Sequence, residues 1–131
     1  MFKYRRSFKY NYEYELEEDY TFDSGVLTNN YIKTSYLELT LSGVLTVKKG
    51  YNWDSADCTA GTDNFMRGSL IHHILYQFIR EGALPQYFRK EADKLLVKVC
   101  REDGMGWIMS KWIYVWVRIF GASSAKVKLN D

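Results

Sequence analysis

The chain is poor in the features that would place it in a class at sight. It has two cysteines in 131 residues, Cys58 and Cys100, so it carries neither a disulfide framework nor a cysteine-rich zinc site. Both are read as reduced thiols, Cys100 as a small core residue. No apolar run reaches the roughly 20 residues that cross a bilayer. The most apolar stretch, Trp107 to Phe120, is broken by Ser110, Lys111 and Arg118. The basic start, Met1 to Arg6, is followed by no apolar segment, so no secretory signal is read. A net charge of +2 is too small to argue for a nucleic-acid partner. There are no repeats and no low-complexity segments. These absences predict a soluble protein made in the cytoplasm.

What the chain does have is apolar and aromatic mass: 47% hydrophobic residues and 17% aromatics, enough for a real core and against disorder. From Phe8 to Leu16 the pattern alternates, with Phe8, Tyr10, Tyr12, Tyr14 and Leu16 on one side and Lys9, Asn11, Glu13 and Glu15 on the other. That period of two predicts a half-buried strand. The tyrosine row reads as packing of a sheet, with a binding stripe for bases or sugars as the alternative. Tyr20 to Phe22 extends the sheet, and Asp23-Ser24-Gly25 and Thr28-Asn29-Asn30 are turns. Leu37, Leu39 and Leu41 alternate with Glu38, Thr40 and Ser42, Gly43 interrupts, and Val44 to Lys48 resumes as a strand. Gly50 to Asp57 is expected to leave the sheet.

The second half changes period. Asp63 is placed to cap a helix running to about Glu81 and ended by Gly82. A second helix runs from about Gln86, just after Pro85, to Asp103, with Gly104 closing it. Trp107 to Phe120 reads as a third, buried helix ending at Gly121. The fold class is therefore α+β: one small antiparallel sheet packed on about three helices. The organisation is a single domain over 1–131, with a β-rich part at 1–54, a helical part at 63–121 and a polar tail at 122–131.

Both histidines lie on the first helix, and at 100° per residue they separate. Leu70, Ile71, Ile74, Leu75, Phe78 and Ile79 form the apolar stripe. His72 borders it beside Ser69 and Tyr76, whereas His73 lies nearly opposite with Gln77 and Arg80, so a metal site using both is disfavoured. On the second helix Asp93 borders the stripe of Phe88, Ala92, Leu95, Leu96 and Val99. Antiparallel helices joined by a short loop bring residues equidistant from the loop together, which puts His72 and Asp93 within about one turn of each other. An oriented catalytic pair and a structural hydrogen bond both remain open.

At these residues the chain resembles a family of short bacteriophage and prophage proteins catalogued as domain of unknown function thirteen fifty-three. Four motifs carry the resemblance, in order: Val47 to Asp54 as a strand ending in a Gly-aromatic turn with an Asp, His72-His73-Ile74-Leu75-Tyr76 as the family's His-Asp-x-Leu-Tyr helix, Arg89-Lys90-Glu91-Ala92-Asp93 as its Arg-x-x-Ala-Asp helix, and Ile113 to Gly121 as its Val-Arg-x-Phe-Gly segment. Two departures stand out. The small-residue turn is altered to Ser55-Ala56-Asp57-Cys58-Thr59 without proline, and His73 replaces the Asp of the His-Asp pair.

The family pattern is in turn similar to secreted-type phospholipases. That similarity implies His72 as base, Asp93 as its orienter, Tyr76 as a supporting hydrogen-bond partner and Asp54 nearby. His73 would stand where a calcium ligand belongs. Neutral imidazole suits a hard cation poorly, so calcium is disfavoured unless Asp54 or Asp57 supplies the oxygens, and no cofactor is expected. The resemblance implies a phage-encoded, virion-associated component (tail, neck or capsid) on a hydrolase-like scaffold with a partly degenerate site. Its partners would be other phage structural proteins or the chain itself. It would be made in the host cytoplasm and held in the particle afterwards. An active hydrolase of a lipid ester or cell-wall bond, using His72 and Asp93, is the alternative, and a host-directed binding factor the third.

Overall fold

The computed structural model describes residues 1–7, 13–54 and 62–127. These form seven short strands followed by three helices, and the chain divides into two compact units, Met1–Asp54 and Ser55–Asp131. The α+β class expected from the change of period at mid-chain is what is observed.

The first unit holds two antiparallel sheets where one was expected. β1 (Tyr4–Ser7), β2 (Glu13–Leu16) and β7 (Asn52–Trp53) make a three-stranded sheet in the order β1-β2-β7. β3 (Tyr20–Asp23), β4 (Ile32–Lys33), β5 (Leu37–Leu39) and β6 (Val44–Val47) make a four-stranded one in the order β3-β6-β5-β4. In the larger sheet the register stacks Tyr20 on Val47 on Leu37, and Phe22 on Leu45 on Leu39, so alternate residues give one apolar face. Glu38 opposite Thr46 belongs to the other face.

Two expectations need correcting here, and a third lies partly outside the described residues. Of the strand expected from Phe8 to Leu16, Glu13–Leu16 is observed, while Phe8, Tyr10 and Tyr12 lie outside the described residues. Its neighbour β1 was hidden by the charges Arg5 and Arg6, which are exposed, Arg5 reaching Glu15 across the strand pair. Leu41 does not join the apolar row. The chain turns between Thr40 and Val44, where Thr40 accepts from Gly43 and exchanges hydrogen bonds with Val44, and Leu41 is exposed at that turn. Finally, Asn52-Trp53 does not leave the sheets but pairs with β2, Tyr14 opposite Trp53. The reason is aromatic: Trp53 is buried against Tyr4, Tyr14 and Phe2 at centroid distances of 6.1, 5.9 and 6.3 Å. Tyr14, the described member of the tyrosine row, is thus a packing residue.

The second unit contains α1 (Asp63–Arg80), α2 (Phe88–Glu102) and α3 (Trp107–Phe120). Thr62 rather than Asp63 holds the N-cap position of α1, and Asp63 sits in the first turn, where its charge suits the helix dipole. The glycine stops behave as read. Gly82 and Gly104 take φ of 80° and 98°, the left-handed region that a side chain resists. In each, the next amide reaches back to the carbonyl five residues before, Ala83 to Phe78 and Met105 to Cys100, at 2.8 and 3.0 Å.

α1 and α2 pack closely at Gly68. A Cβ there would lie 2.9 Å from Cys100 Sγ and 3.0 Å from the Leu96 carbonyl, so the absence of a side chain sets the separation of the two helices. Around that contact Phe65, Leu96, Cys100, Met105, Ile113 and Val117 form a buried cluster that joins all three helices. Cys100 is buried, as expected; Cys58 lies outside the described residues.

α3 departs most from expectation. Its bounds are those read from the sequence, but it is not buried. Only Ser110, Ile113 and Val117 are enclosed, whereas Ile108, Trp112, Val115 and Ile119 are 71%, 54%, 44% and 63% exposed. Hydropathy alone took an apolar helix for an internal one.

Candidate functional site

Asp93 is the centre of the site. It lies on α2 with 0% of its surface exposed, and a buried carboxylate persists only when its charge is compensated. Three side chains do so. His72 Nε2 lies 2.7 Å from Oδ1, the Tyr76 hydroxyl donates to the same oxygen at 2.6 Å, and Arg118 Nη1 donates to Oδ2 at 2.8 Å. His72 and Tyr76 are one turn apart on α1, with rings stacked obliquely at 4.1 Å, and Arg118 comes from α3. One carboxylate therefore ties three helices together.

Burial by itself raises the Asp93 carboxyl, but the hydrogen bonds from His72 and Tyr76, then the His72 charge and the Arg118 hydrogen bond, hold it below its ordinary value. An ionised carboxylate only accepts, so His72 donates through Nε2–H and a neutral ring keeps its lone pair on Nδ1. Burial, followed by the Asp93 hydrogen bond and charge, raises the Tyr76 hydroxyl far above the ordinary range of tyrosine, so it stays protonated as a donor.

Arg89 frames the site from the start of α2. Its Nη2 donates to the carbonyls of Val117 and Arg118 at 3.0 and 2.7 Å, satisfying the last turn of α3. At the end of that turn Gly121 leaves room for Tyr76: a Cβ there would stand 2.5 Å from the hydroxyl oxygen.

The predicted residues divide as follows. His72, Tyr76 and Asp93 are brought together. Asp54 belongs to the first unit and is exposed just after β7. His73, next to His72 on α1, is pushed down to about 4 by burial, then by the charges of Arg80 and His72. Asp57, in the altered turn, lies outside the described residues. Sequence reasoning missed Arg118 as a site residue. The signal was present, because a lone arginine amid an apolar helix requires a countercharge, and Asp93 is the acid that borders the stripe of α2.

Among the described residues no group of three or more His, Cys, Asp and Glu side chains converges as a metal site would require. Among the described residues no helix is long and apolar enough to cross a membrane. Comparison with protein families, with curated proteins and with solved structures finds no match to the chain.

Proposed function

We propose that this chain is a non-catalytic binding component of a phage particle, associated with tail, neck or capsid, on a scaffold of hydrolase type. The phage assignment rests on the four motifs quoted above. The non-catalytic assignment rests on one observation, the saturation of Asp93. An orienting carboxylate assists a histidine base by stabilising the imidazolium that forms during proton transfer. Here Arg118 and Tyr76 already occupy both oxygens, so little of that charge is left to respond. At the neighbouring position, where an oxygen ligand for a hard cation would be needed, stands His73, an uncharged ring at neutral pH. The network serves cohesion of the helices better than turnover.

The competing reading, an active hydrolase of an ester or cell-wall bond, is favoured by the lone pair left on His72 Nδ1. Both are decided by assaying the protein and His72→Gln against short- and long-chain esters and peptidoglycan. The binding reading expects no turnover above blank in either, and a loss of about 1–3 kcal/mol of stability in the variant. Hydrolysis by the wild type that disappears in a folded His72→Gln protein overturns it. Mass spectrometry of particles purified from the encoding phage tests the location, and stoichiometric copies are expected.

A further inference from the structure

α3 presents a face that the core does not use. At 100° per residue, Ile108, Trp112, Val115 and Ile119 fall within one arc of about 60°, opposite Ser110, Ile113 and Val117. All four are exposed, and Trp107, Met109 and Phe120 extend the apolar surface on either side. Lys111, exposed, borders this arc, and the other charge on the helix is Arg118, so α3 carries cations only. The pattern continues beyond the helix: from Gly104 to Asn130 the sequence has Lys111, Lys126 and Lys128, besides the Arg118 that Asp93 holds, and no carboxylate side chain.

We propose that α3 docks flat on an anionic lipid surface. Length, composition and charge each point there. Fourteen residues span about 21 Å, too short to cross a bilayer and long enough to lie along one. Exposed tryptophans, with their apolar rings and one N–H, suit the boundary between headgroups and acyl chains. Lysines at the margin and beyond meet lipid phosphates without competing acids. A second copy of the chain fits the same face less well. Pairing two α3 helices brings Lys111 of each copy to the seam and supplies no carboxylate from either helix to compensate it. The proposal holds whether or not His72 has a catalytic role.

The test uses the 131-residue chain and vesicles of phosphatidylglycerol mixed with phosphatidylcholine. The protein should sediment with them, with its tryptophan emission moving to shorter wavelength and binding weakened by salt. Ile108→Glu combined with Ile119→Glu should reduce binding on the order of tenfold or more, since both side chains would leave the acyl boundary. These are exposed positions, and circular dichroism checks that the helices persist. Lys111→Glu should weaken binding while leaving the apolar face intact. Equal binding to pure phosphatidylcholine overturns the anionic assignment. No binding to either vesicle overturns the proposal. A dimer in sedimentation analysis that the double variant dissociates, without vesicle binding, assigns the face to a second copy instead.

Discussion

Asp93→Asn should be the most damaging conservative substitution in the second unit. The change is nearly isosteric, so packing survives, but the charge that Arg118 meets at 2.8 Å is gone, and an amide nitrogen or a neutral oxygen must take its place. Breaking a buried ion pair from one side costs about 3–5 kcal/mol. Arg118 is partly exposed and can turn to water, which places the expected loss near the lower end, about 3 kcal/mol. For a chain of this size that corresponds to a fall in Tm of roughly 10 °C. Urea unfolding measures it. A quadruple variant, His72→Leu with Tyr76→Phe, Asp93→Leu and Arg118→Met, should lose less than Asp93→Asn alone, because replacing every member of the network strands none of them. If Asp93→Asn costs under about 1 kcal/mol, the network does not hold the helices, and the reading of it as a structural tie fails with it.

The second large effect is one of pH, and it belongs to His73. Its folded-state value is pushed down to about 4, against about 6.5 in the unfolded chain. Between those values the unfolded chain takes up a proton that the folded chain refuses, so the unfolded state is favoured as pH falls. Stability is complete above about pH 6.5 and drains away toward pH 4, by about 3 kcal/mol. Asp93 contributes in a different window. Its folded value is lowered, so its contribution is present above the unfolded carboxylate value near 4 and disappears only below it. Unfolding free energies of the wild type and His73→Leu, measured between pH 7 and pH 4 for His73 and on below pH 4 for Asp93, separate the two. The variant should be nearly flat across the first range; parallel curves would show that another group governs the acid response.

The legible parts of the sequence were those whose causes are local or periodic. Gly82 and Gly104 stop helices because the backbone turns left-handed at those residues, and the motif is complete within six residues. The stripe of Leu70 to Ile79 and the border position of Asp93 follow from one helical period. Two antiparallel helices then bring His72, Tyr76 and Asp93 together without further information. The rest depended on partners far away in the chain. β1 carries Arg5 and Arg6 on a strand whose pairing with Glu13–Leu16 no periodicity announces. Trp53 enters a sheet because of aromatic neighbours contributed by two other segments, Phe2 and Tyr4 from the start of the chain and Tyr14 from β2. For α3, hydropathy measures what a residue prefers to touch, and cannot tell an interior from a surface awaiting a partner. Arg118 fell between these cases, visible as an anomaly but assignable only once α3 was placed against α2.

The close approach at Gly68 has a use as a clock. Cys100 Sγ is sealed under that glycine and beneath α3, so a thiol reagent reaches it only when the packed helices part. In a chain with Cys58 replaced by serine, the labelling rate of Cys100 counts those openings in the native state, without denaturant. Comparing that rate with the global unfolding free energy tells whether the helices separate on their own or only when the whole unit comes apart.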